Sequence, residues 1–139
     1  MIVDASAILP AYFPDEDQLP SQRLLGEYVM GELDLAAPTL LVYEMTNAVI
    51  QAIRRGRIRE EQGMEALDIF DALGIPTFPV NWQEMATFAR RFHRSAYDAS
   101  YLALANQRGE RFITGDRRMY NAVKDHLDWV IWIGDFFGG

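Results

Sequence analysis

The sequence contains no cysteine, which excludes disulfides, thiolate metal sites and a cysteine nucleophile. Lysine is nearly absent too: of the 13 basic residues only Lys124 is a lysine. The two histidines, His93 and His126, each fall near the expected C-terminal end of a helix, where an imidazole is mildly favoured, and neither reads as catalytic. No apolar run approaches the roughly 20 residues of a membrane span. The opening Met1-Ile2-Val3-Asp4 lacks the basic region of a signal peptide, so a cytoplasmic location is expected. Nor is there an excess of positive charge. The net charge is −7, which argues against a general nucleic-acid binder, because phosphate contacts supply most non-specific affinity.

What is present suits one globular domain, residues 1–139, with half its residues hydrophobic and enough of them to bury a core. The basic residues cluster at Arg54, Arg55, Arg57 and Arg59, at Arg90, Arg91 and Arg94, and at Arg117 and Arg118. As arginines they match phosphate geometry better than ammonium groups do, although each cluster also reads as a solvated helix end.

Short apolar segments alternate with helical patterns. Strands are expected at Ile2-Val3, 33–37, 77–80, 111–114 and 129–133. Helices are expected over 5–11, 20–30, 39–55, 60–73, 82–93, 98–107 and 116–126, with Gly56, Gly74 and Gly109 as stops and Asn81, Asp98 and Asp116 as caps. Alternation of this kind predicts an α/β fold, a parallel sheet covered by helices on both faces. Ile58, Met64, Leu67 and Phe70 suit either the monomer core or a dimer seam. The aromatic tail Phe136-Phe137-Gly138-Gly139 suits folding back on the core or meeting a partner.

Ligands in open α/β sheets bind beyond the carboxyl ends of the strands. Asp4 directly follows the first strand, Asp116 lies just past the fourth, and Glu44 sits early in the helix after the second. Asp98 opens the helix leading to the fourth strand. Asp98 and Asp116 also read as plain caps, and Glu44 as part of an exposed face with Asn47, Gln51 and Arg55. Asp4 is harder to dismiss, because an unpaired carboxylate beside an apolar run is costly. Asn47 lies one turn beyond Glu44, in reach to hydrogen-bond it. Ser6 and Thr114, two residues from Asp4 and Asp116, supply supporting hydroxyls. Four carboxylates in one pocket repel: at an effective dielectric near 20, two charges 4 Å apart cost about 4 kcal/mol. A cation relieves that. An oxygen-only donor set selects hard ions such as Mg²⁺ or Mn²⁺, and these ions serve phosphodiester hydrolysis.

The segments Ile2-Val3-Asp4-Ala5-Ser6, Glu44 with Asn47, Tyr97-Asp98-Ala99-Ser100-Tyr101-Leu102-Ala103-Leu104-Ala105 and Phe112-Ile113-Thr114-Gly115-Asp116 together resemble the PIN-domain family, more narrowly the VapC toxins of prokaryotic toxin–antitoxin pairs. The resemblance covers almost the whole chain. It implies a single PIN domain with a parallel sheet of about five strands between helices. It also implies that Asp4, Glu44, Asp98 and Asp116 form a catalytic Mg²⁺ or Mn²⁺ site, supported by Ser6 and Thr114, to which the helix spacing adds Asn47. Endoribonuclease activity, homodimerisation and inhibition by a small VapB-like antitoxin follow from the same resemblance. Tyr12, Phe13 and Tyr97 are candidates to stack on RNA bases or to pack in the core. Two alternatives stand beside this reading: a PIN fold that only binds, and a receiver-type Mg²⁺-binding signalling domain. The second normally needs an acidic pair after the first strand, where this chain has Asp4-Ala5, and a lysine after the last strand, where Lys124 comes too early.

Overall fold

In a computed structural model that describes residues 1–137, strand β1 (Ile2–Val3) is fully buried and runs between two neighbours. On one side it pairs in parallel with β4 (Phe112–Thr114), which pairs in parallel with β5 (Val130–Trp132). On the other side Val3 N–H donates to Ala36 O and Ala36 N–H to Met1 O, both at 3.0 Å. That parallel bridge leads into β2 (Ala37–Pro38), itself parallel to β3 (Thr77–Phe78). The order across the sheet is β3-β2-β1-β4-β5. The expected five parallel strands are present, as ladders of three and two joined by a bridge.

The helices are α1 (Ala5–Ile8), α2 (Leu19–Val29), α3 (Leu40–Arg54), α4 (Glu60–Leu73), α5 (Trp82–Phe92), α6 (Ala96–Arg108), α7 (Arg117–Val123) and α8 (Ile133–Phe136). The second strand is Ala37–Pro38 instead of 33–37, the third stops at Phe78, and α7 ends at Val123; three further differences have local reasons. The first helix stops at Ile8 and continues as a 3₁₀ turn over Leu9–Tyr12, with Pro10 at its start. Helix α6 begins two residues early because Ser95, not Asp98, is its cap: the Ser95 hydroxyl accepts the Asp98 N–H at 3.0 Å. The last strand gives way to α8, which has no counterpart in the sequence reading. No helix among the described residues is long and apolar enough to cross a membrane.

Helix α6 is buried from Ala99 to Ala105. Its small residues let it pack against β1, β2 and β4 at the centre of the main core. A second cluster joins Phe13, Val49, Ala52 and Ile58 beneath the α3–α4 turn. There α4 comes so close that a Cβ on Gly63 would stand 2.6 Å from Ile53 Cδ1. Ile58, Leu67 and Phe70 thus pack within the chain, while Met64 is exposed. Phe136 and Phe137 fold against the core, and Gly138 and Gly139 lie outside the described residues. Arginines lie over aromatic rings at six places: Arg23 on Phe137, Arg57 on Phe13, Arg91 on Phe92, Arg108 on Phe78, Arg111 on Phe136 and Arg117 on Trp132.

Leu102 is fully buried in α6. Leu102→Ala is expected to cost about 3 kcal/mol in urea unfolding. A loss below about 1 kcal/mol would mean that α6 does not sit in the core as described.

Candidate active site

Asp4 leaves β1 and caps α1, accepting the Ala7 N–H at 3.1 Å. Its other contacts come from hydroxyls: Ser6 Oγ donates to Oδ1 at 2.6 Å, and Thr114 Oγ1 donates to Oδ2 at 2.5 Å. Thr114 ends β4, the strand beside β1, and its hydroxyl also accepts the Asp116 N–H at 3.0 Å. Ser6 Oγ accepts the Gly115 N–H at 2.9 Å. The two strand ends are therefore laced together around one buried carboxylate. Gly115 makes the lacing possible, since a Cβ there would lie 2.6 Å from the Ser6 carbonyl oxygen.

Asp116 caps α7, accepting the N–H groups of Arg118 at 3.0 Å and Met119 at 3.2 Å. Glu44, half-buried on α3, accepts a short hydrogen bond from the Tyr101 hydroxyl of α6. The Tyr101 ring stacks on Phe112 of β4, centroids 5.8 Å apart. Asp98 sits one turn before Tyr101 on α6 and is paired with Arg94 at 3.1 Å. Asn47 lies exposed, and among the described residues it makes no hydrogen bond to Glu44; Tyr101 does so instead.

Burial dominates the electrostatics. It pushes the Asp4 carboxyl up from 3.8 to about 7, against the lowering effect of Ser6, Thr114 and Ala7, while the Asp116 charge adds to the rise. Burial likewise raises Glu44; the Tyr101 hydroxyl opposes that, and the charges of Asp98 and Asp116 add to it. Burial raises the Tyr101 phenol strongly, followed by the negative charges of Glu44, Asp4 and Asp98. The charge of Asp116 thus reaches both Asp4 and Glu44, and that of Asp98 reaches Glu44. Each of the four acids is nonetheless engaged by its own local partners, and among the described residues no three acids or histidines stand close enough to hold an ion as they are.

Two clefts flank this edge. One, about 280 Å³, is walled by Ser6, Gly115, Asp17 and Trp132. The other, about 340 Å³, lies between Thr39, Pro79, Met85 and Tyr97. Of the three aromatics considered for base stacking, Tyr97 is 66% exposed beside the second cleft, whereas Phe13 is buried under Arg57 and Tyr12 packs into the core.

The PIN domain family model matches residues 1–125. Ribonuclease VapC3 of Pyrobaculum aerophilum is 32% identical over 124 residues, 86% of this chain and 91% of that protein. The chain belongs to the PIN-domain family. Ribonuclease VapC1 of Mycobacterium tuberculosis is similarly 31% identical, covering 85% of this chain and 86% of the relative. A solved structure, PAE2754 from Pyrobaculum aerophilum, shares the fold with a TM-score of 0.72 at 22% identity, over 96% of this chain and 90% of its own. Membership of the PIN family removes the receiver-type alternative.

The donor set of this PIN domain fits a hard divalent ion. Every candidate ligand is a carboxylate oxygen, and a nearby cation would offset the burial that disfavours ionised Asp4 and Glu44. Sequence reasoning missed Tyr101 as the Glu44 partner and Arg94 as the Asp98 partner. The spacing held a clue only to the second, since Arg94 precedes Asp98 by four residues.

The raised Asp4 pKa sets a pH dependence. The folded chain holds a proton on Asp4 that the unfolded chain releases above 3.8, so stability contributed by this group is full at low pH and is lost up to about 7. Without added metal, unfolding free energy is expected to fall across that window by up to roughly 1.4 kcal/mol per pH unit, the slope for one proton. Glu44 contributes with the same sign. Denaturant titrations from pH 4 to pH 8 should show a shallower decline for Asp4→Asn; an identical decline would assign the proton to another group.

Proposed function

We propose that this single PIN domain is a metal-dependent endoribonuclease, the toxin of a type II toxin–antitoxin pair. Asp4, Glu44, Asp98 and Asp116 are its catalytic and metal-binding residues, and Ser6 and Thr114 are supporting groups. Asn47 is kept in the reading as an outer polar neighbour with no direct hold on Glu44. The observation that carries the proposal is the buried Asp4 carboxylate at the end of β1, held by hydroxyls from α1 and β4 and within reach of the Asp116 charge, with Glu44 in turn within reach of Asp98 and Asp116. The VapC names of the relatives support it.

When bound, Mg²⁺ or Mn²⁺ supplies charge to the phosphodiester and lowers the pKa of an attacking water. The protein's own part is positional. Thr114 and Ser6 fix both oxygens of Asp4. Tyr101 aims Glu44 from the core, and the α7 N-terminus fixes Asp116. The clefts on either side suit flanking nucleotides, with Tyr97 offering a ring face to an unpaired base. The remainder of the proposal is a cytoplasmic homodimer restrained by a small VapB-like antitoxin, whose basic side chain would compete with the ion for the same negative potential.

The test is cleavage of a stem-loop RNA with and without Mn²⁺ or Mg²⁺. Metal-dependent cleavage is expected, with Asp98→Asn lowering kcat/KM at least about a hundredfold, in keeping with the several kcal/mol that a bound metal contributes. A folded protein that binds Mn²⁺ and cuts no RNA would instead be a binding module.

A further inference from the structure

Arg94 places both its Nε, at 3.3 Å, and its Nη2, at 3.1 Å, on one oxygen of Asp98, Oδ2. The other oxygen takes no hydrogen bond from any described residue. Both side chains are about three-quarters covered, with 23% and 28% exposure. The pair is therefore less screened than a surface pair, yet open enough to exchange partners.

The backbone around Arg94 is set from two directions. His93 closes α5 in the left-handed region with φ 53°, the only non-glycine residue described there, and the Arg94 N–H donates to Ala89 O at 3.0 Å. One residue on, Ser95 caps α6. The guanidinium is thus presented to Asp98 from a fixed corner. The fold gains little from the contact: a base one turn before an acid is the less favourable order for such a pair, and part-exposed ion pairs stabilise weakly. Among the described residues, the other ion-paired arginines are committed elsewhere. Arg57 pairs with Asp15 and Glu16, and Arg108 pairs with Glu110. Arg94 is the arginine whose partner is a site acid.

We propose that Arg94 is an exchangeable counter-ion for the acidic site: it holds Asp98 until a divalent ion takes that carboxylate, and its freed guanidinium then grips an RNA phosphate. This rests on the nuclease reading and deepens it. An ion arriving at the free oxygen of Asp98 neutralises the charge that holds Arg94, so its binding weakens the ion pair and releases the guanidinium. A planar fork on a fixed corner beside the sheet edge suits phosphate oxygens. The ion and the RNA strand then favour one another, because the first liberates the contact that the second uses.

The test uses the full chain as wild type, Arg94→Gln, Arg94→Lys and Asp98→Asn, all checked for folding by thermal melts. Mn²⁺ affinity is measured by calorimetry without RNA, and KM with a stem-loop RNA at saturating Mn²⁺. Arg94→Gln is expected to bind Mn²⁺ about three- to tenfold tighter, tenfold corresponding to 1.4 kcal/mol. It should also raise KM by roughly tenfold and make the salt dependence of RNA binding shallower by about one phosphate contact. Arg94→Lys, which keeps the charge, should fall between. A merely structural role would leave Mn²⁺ affinity unchanged or weaken it on substitution. That result, or an unchanged KM, overturns the proposal, and the nuclease reading survives if Asp98→Asn still loses Mn²⁺ and activity. If Asp98→Asn binds Mn²⁺ like wild type, the acidic site itself is wrong and this proposal falls with it.

Discussion

A carboxylate at the end of a fully buried strand needs partners, and Asp4 dictates much of what surrounds it. An isolated ionised group there would carry a desolvation cost that no local turn could offset. Three donors from two segments meet it: the Ala7 N–H, the Ser6 hydroxyl and the Thr114 hydroxyl. Each demand propagates. Thr114 must end β4 beside β1, which fixes the register that pairs Val3 with Ile113. Ser6 must also reach the Gly115 N–H, which brings two backbones so close that only glycine fits. The polar cluster and the apolar sheet thus specify the same alignment, a consistency expected of a sequence with one structure.

The other acids are coupled to the fold more loosely. Glu44 depends on Tyr101, whose ring is stacked on Phe112 inside the core while its hydroxyl emerges at the site. A change in packing at that ring is therefore a change in where Glu44 points. Asp116 is held by backbone N–H groups at a helix start, a geometry that stabilises negative charge without any side-chain partner. Asp98 relies on a single arginine. The four carboxylates thus span a range from deeply fixed to exchangeable. The proposed function, a site that accepts a cation and then adapts to substrate, calls for both ends of that range.

Much of this was legible beforehand. The alternation of short apolar runs with helical periods gave the parallel order, because the two periods are written directly in the spacing of buried residues. Asp4 stood out because an acid there has no inexpensive alternative. The misreading at Asp98 came from cap chemistry: Asp and Ser are comparable caps three residues apart, and only the structure shows Ser95 in that role. The expected Asn47–Glu44 hydrogen bond is not made because helix spacing offers neighbours along one helix, whereas Glu44 found its partner on another. Each arginine cluster read either as phosphate-matching or as a solvated helix end. Within them, Arg57, Arg91 and Arg117 instead lie over aromatic rings, the first and last of these on rings far away in sequence.

The hydrogen bond from Thr114 to Asp4 spans 110 residues of sequence. Its consequence is temporal. During synthesis the first acid emerges with the first strand, but it has no hydroxyl from β4 to close around it until nearly the whole sheet has been made. Loop closure over such a distance comes late in folding, after local helices have formed. The assembled site is thus a property of the finished sheet and of no shorter stretch of nascent chain. With Asp4 in the proposed catalytic role, a growing polypeptide is expected to be chemically inert toward the RNA-rich machinery that is making it.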